Sequence, residues 1–206
     1  MAFTVVLRWC SARRLETLLG ATMKVPITKS LKAKVFAALL AAGVAGPSAY
    51  IASELTVPSE GVLTHLHLDP VGLQTTCIGH LVKKGETPKQ NYTEDECITQ
   101  FTKDWVEHER MVTDAVKVPF RSDWMKGAVT DFTFNKGGGN LRSSTMLAKL
   151  NKMNYDGACV ELTKWVYATE NGKKVKLKGL EIRASKQYKY CMGEVPADYK
   201  PVSTWE

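Results

Sequence analysis

Nineteen consecutive residues, Val35 to Ser53, carry no charge, and four lysines (Lys24, Lys29, Lys32 and Lys34) stand just before them. As one helix the run would span about 28 Å, near the hydrocarbon thickness of a bilayer. It therefore requires either a membrane or the interior of a protein. The lysines favour the membrane: they predict a cytoplasmic N-terminus, with everything after Ser53 exported. Retention should be weak, because Ala37, Ala38, Ala41, Ala42, Gly43 and Ala45 bury little apolar area and Gly46-Pro47 interrupts the helix. An Ala-rich helix in a soluble core is the less favoured reading. A cleavable signal is a stronger rival, since Gly43-Val44-Ala45 offers small residues at suitable offsets.

Residues 1–22 fit neither pattern, whereas Met23-Lys24 opens a conventional basic region. The sequence thus divides into an upstream extension (1–22, with Cys10 and the Arg13-Arg14 pair), an export signal or signal anchor (23–53) and an exported domain (54–206). Of the 28 basic and 21 acidic residues, residues 1–53 hold seven and one, so the net +7 charge is concentrated there. The remainder is close to neutral, which argues against a nucleic-acid partner. Its length suits one domain with a single core.

Within the exported part, a short helix ends near Glu60. Leu66 and Leu68, alternating with His65 and His67, predict a strand, Asp69-Pro70-Val71-Gly72 a turn, and Leu73–Gly79 a returning strand. Thr93-Glu94-Asp95-Glu96 is a capping-box pattern that opens a long helix. Further helices are expected from Asp123, over Ser144–Leu150, over Asp156–Trp165, and from Gly179-Leu180 to Cys191. Asn135–Asn140 is read as a glycine-rich break between helices, Gly172–Lys178 as a lysine-rich solvated loop, and Trp105, Trp124 and Trp165 as core residues. The fold class is α+β, mostly helical, with a cleft between a small hairpin lobe and a larger helical lobe.

Glu60, Asp69 and Thr75 flank that turn. Two carboxylates and a hydroxyl are the groups that glycosidic cleavage uses: one acid protonates the leaving oxygen while the others hold a water or the developing positive charge. Such spacing occurs by chance in roughly one chain of this size in fifty, so the neighbouring residues decide the matter. Glu60-Gly61, Asp69-Pro70-x-Gly72-x-x-Thr75 and Gly79-His80 resemble the catalytic hairpin of the phage-type lysozymes, glycoside hydrolase family 24. Phe134-Asn135-x-Gly-x-Gly139-Asn140-Leu141-Arg142-Ser143-Ser144-Thr145-x-Leu147, Gly157-Ala158-Cys159, Trp165 and Gly179-Leu180-x-x-Arg183 resemble their helical lobe, and the leader resembles the releasable signal anchors of some members. Gln74 and Ile78 stand where the family usually has aromatics, and Arg183-Ala184 where it has a basic pair.

The resemblance implies a lysozyme-like fold behind an N-terminal export helix. It also implies a phage endolysin that hydrolyses the β-1,4 bond between N-acetylmuramic acid and N-acetylglucosamine for host lysis. Glu60 would be the general acid, kept protonated by apolar Leu and Val neighbours; Asp69 would hold the attacking water, together with Thr75, or stabilise the oxocarbenium-like transition state, and it also suits a turn cap. His80, Asn135, Gly139 and Arg183 would line the substrate cleft. No cofactor or metal is implied, and no closely spaced Cys/His set suggests zinc. The partners are bacterial peptidoglycan and, through residues 35–53 before release, the inner membrane; the protein is expected to be a periplasmic monomer. The alternative is a catalytically weak wall-binding or virion structural protein of the same fold, which binding without release of reducing ends would reveal. Four cysteines, Cys77, Cys97, Cys159 and Cys191, allow three disulfide pairings; Cys77 with Cys97 and Cys159 with Cys191 keep each bridge within one substructure. Free thiols are equally compatible with the sequence.

Overall fold

Small residues let two helices approach closely, and that principle organises the N-terminal third of the computed structural model, which describes residues 24–69, 72–170 and 173–201. The expectations for residues 1–22 and Met23 lie outside these. Helix α1 (Lys29–Ala41) begins at Thr28, whose hydroxyl accepts the Leu31 N–H at 3.0 Å. It ends where Gly43 adopts φ +82°, a left-handed helix stop that favours glycine. Pro47, in the first turn, starts α2 (Gly46–Ile51), which passes through a π-helical segment (Ala52–Thr56) into α3 (Val57–Glu60).

The uncharged run is thus two helices, and the expected boundary at Ser53 falls within continuous helical structure. Leu31, Val35, Leu39, Ala49 and Ile51 are all at most 1% exposed in the core. The less favoured reading, an Ala-rich helical segment in a protein core, is the arrangement seen here. Among the described residues no helix is long and apolar enough to cross a membrane. The small side chains serve close packing: a Cβ at Gly127 would meet the Ser48 Cα at 2.8 Å. Ser48 itself accepts a hydrogen bond from Trp105 Nε1 at 3.2 Å.

The hairpin lobe follows. Strand β1 (Leu63–Leu68) pairs antiparallel with β2 (Gln74–Cys77), placing His67 opposite Thr75 and Leu68 opposite Gln74; β3 (His80–Leu81) extends the sheet. Helix α4 (Glu94–Ala115) has the expected capping box, with Thr93 and Glu96 exchanging bonds. Helix α5 (Asp123–Ser143) is capped by Ser122, one residue before the Asp123 expected to cap it. Gly137, at φ +83° and ψ +154°, kinks it within the glycine-rich stretch. Ser144 caps α6 (Thr145–Leu150), and Asn154 caps α7 (Tyr155–Leu162).

The lysine-rich segment expected as a loop instead forms an antiparallel ribbon of β4 (Tyr167–Glu170) and β5 (Lys173–Lys176), before α8 (Lys178–Cys191). Mutual strand pairing, invisible in a single polar segment, satisfies its backbone. Disulfides join Cys77 to Cys97 and Cys159 to Cys191, closing separations of 20 and 32 residues. Trp105 and Trp124 are buried, and Trp165 packs edge-on against Phe132 at 5.0 Å. The C-terminal stretch folds back so that Tyr199 meets Trp124 and Tyr50 at ring separations of 4.9 and 5.4 Å, while the Tyr50 hydroxyl donates to Asp198 at 2.7 Å.

Candidate active site

Glu60 ends the helical segment that began at Gly46, because Gly61, at φ +78°, turns the chain out of the helix. The side chain then lies on Gly79, where a Cβ would meet Glu60 Cγ and Oε2 at 3.3 Å. Gly79 is itself at φ +68°, so both space and backbone favour glycine. Its setting differs from the apolar one expected: Arg183 Nη1 donates to Glu60 Oε1 at 2.6 Å. The cause is tertiary, since α8 brings a guanidinium across from 123 residues away.

Arg183 is only 5% exposed. It donates from Nε to Asp131 Oδ2 at 3.0 Å and from Nη2 to Asp131 Oδ1 at 2.7 Å, a two-point grip that fixes the plane of the guanidinium. Asp131, fully buried, also accepts from Thr56 Oγ1 and Gln187 Nε2, both at 2.6 Å. Burial disfavours the Arg183 charge, but Asp131 and Glu60 outweigh it and raise its pKa. Arg183 therefore positions Glu60 and is not the open cleft residue expected. Nearby, burial first and Arg183 second hold the Lys136 ammonium below its ordinary pKa, against the attraction of Glu60.

Asp69 closes the hairpin turn: its Oδ1 accepts the Leu73 N–H at 2.8 Å, and its own N–H donates to Leu73 O at 2.9 Å. Thr75, 6% exposed, donates from its hydroxyl to Leu73 O at 3.3 Å. Glu60, Asp69 and Thr75 line one cleft of about 470 Å³, with Asn135 and Phe134 from α5 on the opposite wall and His67 on the hairpin wall. A larger groove of about 590 Å³ lies between α1 and the Asp198–Lys200 segment, but it contains none of these three groups. Convergent polar groups make the smaller one the candidate site.

Two expected cleft residues lie elsewhere. His80 is 8% exposed, with Nδ1 at 2.9 Å from Asp104 Oδ2 and Nε2 at 3.1 Å from Glu86 Oε2. Both ring nitrogens are engaged, so it joins the sheet to α4 and does not face substrate. The bond to Asp104 chiefly raises its pKa, against the opposing effect of burial. Gly139 is exposed beyond the Gly137 kink and does not line the cleft. Ile78 is 1% exposed, so its departure from the usual aromatic concerns packing, not sugar stacking.

Sequence reasoning missed Asp131 and Asp104. A carboxylate between Ala128, Val129 and Phe132 on an apolar helix signalled a buried charge requiring a cation; nothing local indicated which one.

Comparison with known proteins gives a consistent result. The sequence profile described as Phage lysozyme matches residues 57–187. The chain is 37% identical over 133 residues to the SAR-endolysin of Bacteriophage PS119, covering 65% of this chain and 76% of that one. It is 36% identical over 159 residues to the SAR-endolysin of Enterobacteria phage P21, covering 74% and 93%. Among solved structures, the active form of P1 phage endolysin Lyz superposes with a TM-score of 0.64 at 22% identity, over 87% of this chain and 99% of that one. The endolysin of Escherichia coli O157:H7 phage FAHEc1 gives 0.61 at 21%, over 83% and 96%. These two likenesses bear on the fold: helices around a small antiparallel sheet.

Proposed function

The chain belongs to the phage lysozyme family, and from that premise we propose that it is a muramidase cutting the β-1,4 bond between N-acetylmuramic acid and N-acetylglucosamine in host lysis. Glycosidase chemistry of the lysozyme class follows from the family; the particular bond and the residue roles are our reading. The observation that carries it is the convergence of Glu60, Asp69 and Thr75 on one cleft, with Glu60 held by Arg183.

Arg183 engages Oε1 of Glu60, leaving Oε2 to carry a proton to the glycosidic oxygen as the bond to the anomeric carbon breaks. Asp69 and Thr75, which line the same cleft, hold the water that supplies its oxygen to the sugar and releases a proton. Arg183 stabilises the carboxylate left on Glu60 until it is reprotonated. Glu60→Gln in a protein that folds normally should abolish clearing of permeabilised Gram-negative cells. Equal clearing by that variant would remove Glu60 from the acid role.

We further infer that residues 35–53 tether the newly exported chain to the inner membrane and fold into the domain after release. Val35, Leu39, Ala49 and Ile51 cannot occupy a bilayer and the protein core simultaneously. The tethered form therefore lacks the helical support that leads to Glu60. Fractionation with N-terminal sequencing tests this: an uncleaved soluble form is expected, whereas recovery only of chains cut between Ala45 and Ser53 would mean a plain signal peptide.

A further inference from the structure

We propose that His67 is a glycan-binding residue of the cleft, its Nε2 accepting a hydrogen bond from a hydroxyl or acetamido N–H of an N-acetylated amino sugar beside Asp69 and Thr75. This rests on the glycan lying in this cleft, as proposed above. His67 is opposite Thr75 in the β1–β2 register. Directly opposed residues of antiparallel strands share a face, with Cβ atoms about 5 Å apart. The two side chains accordingly line the same cleft as Glu60 and Asp69.

The imidazole is oriented. Its Nδ1 lies 3.1 Å from the His65 carbonyl oxygen, which can only accept, so Nδ1 carries the hydrogen of the neutral ring. That tautomer leaves the Nε2 lone pair available, and among the described residues Nε2 has no hydrogen-bond partner. The His65 ring, with its centroid 5.5 Å away, flanks the His67 ring. Of the four histidines, His67 alone lines the cleft; His80 is engaged at both nitrogens and His108 binds the Asp104 carbonyl.

The surrounding wall makes this acceptor valuable for sugar recognition. The cleft rim near His67 presents Leu68 and Leu81, 66% and 48% exposed, which offer apolar contact without hydrogen-bond direction. On β1, the directional side chain that lines the cleft is His67. Its position opposite Thr75 would fix the sugar next to the water site, making it a determinant of affinity for the substrate strand.

The test uses the full chain carrying Glu60→Gln, so that ligand binds without turnover, with the hexamer of N-acetylglucosamine and purified peptidoglycan strands as probes in calorimetry. Adding His67→Phe, which keeps the ring and loses the acceptor, should weaken binding about tenfold, equivalent to about 1.4 kcal/mol. His67→Gln, which keeps an acceptor, should restore most of it, and both variants should still melt cooperatively, with at most the few degrees that loss of the bond to the His65 carbonyl implies. With Glu60 intact, His67→Phe should raise KM and leave kcat nearly unchanged. Normal hydrolysis with unchanged KM and affinity in His67→Phe would overturn the His67 site while sparing the hydrolase reading. Absence of hydrolysis by the unmodified protein, with the tenfold binding difference present, would overturn the hydrolase reading and support the His67 site.

Discussion

Removing residues 1–53, so that the chain starts at Glu54, is expected to prevent folding, although Val35–Ser53 has the composition of a removable leader. Truncation deletes α1 and α2, and with them Leu31, Val35, Leu39, Val44 and Ile51, none more than 5% exposed. At about 2 kcal/mol for each such side chain, the lost burial is about 10 kcal/mol, an upper estimate because unfolded chains already hide some surface. That is comparable with the whole stability of a typical domain, about 5–15 kcal/mol. The apolar faces of α4 and α5 lose their cover as well, and Glu60 is left on a helical stub too short to persist alone. Thermal melts followed by far-ultraviolet circular dichroism, with clearing of permeabilised cells, compare the two chains. The longer should melt cooperatively and clear; the shorter should show no cooperative transition and no clearing. A Glu54 chain that melts within about 5 °C of the longer one and clears at a similar rate would refute the reasoning.

Arg183→Leu should cost about 3–5 kcal/mol, because it strands the fully buried Asp131 carboxylate; denaturant unfolding measures this, and a loss under 1 kcal/mol would contradict it. The raised pKa of His80 makes stability pH-dependent with a definite sign. The folded value lies above the unfolded value of about 6.5, so the contribution is fully present below that pH and fades as pH rises through the folded value. Melting temperatures from pH 5 to 9 should therefore show a decline that Asp104→Asn flattens, since Asp104 is the main cause of the shift. Replacing Cys159 and Cys191 by Ala should cost about 2–4 kcal/mol for the 32-residue separation closed, read as an earlier unfolding midpoint. Tyr199→Ala should lower the melting temperature by removing the ring that meets Tyr50 and Trp124 edge-on; an unchanged melt would show that the C-terminal contact is only passive.

Legibility followed the range of the interaction. The α4 capping box, the hairpin turn at Asp69 and the helix over Ser144–Leu150 involve bonds between residues at most four apart, and each was readable within a short window. Glu60, Asp69, Thr75 and Asn135 were singled out from their motifs, and all four line one cleft in the structure. His80 and Arg183 were expected to line the cleft but are buried in pairs with Asp104 and Asp131, which lie 24 and 52 positions away and so left no local sign. The ribbon formed by Tyr167–Glu170 and Lys173–Lys176 was missed because neither strand has an apolar alternation to mark it.

The sequence by itself determined that Val35–Ser53 must escape water, that a carboxylate hairpin follows it, and that Asp69 closes the turn. Only the tertiary structure decided how that uncharged run packs in the folded domain. An apolar segment avoids water equally well in a bilayer or a core, and the choice depends on whether complementary surfaces exist: here Gly127 and Trp105 provide a close seat for Ser48 and its neighbours. The same holds for Glu60, whose chemistry is local but whose partner, Arg183, is supplied by the last helix. Composition sets what a residue needs, whereas packing between distant segments decides what meets that need.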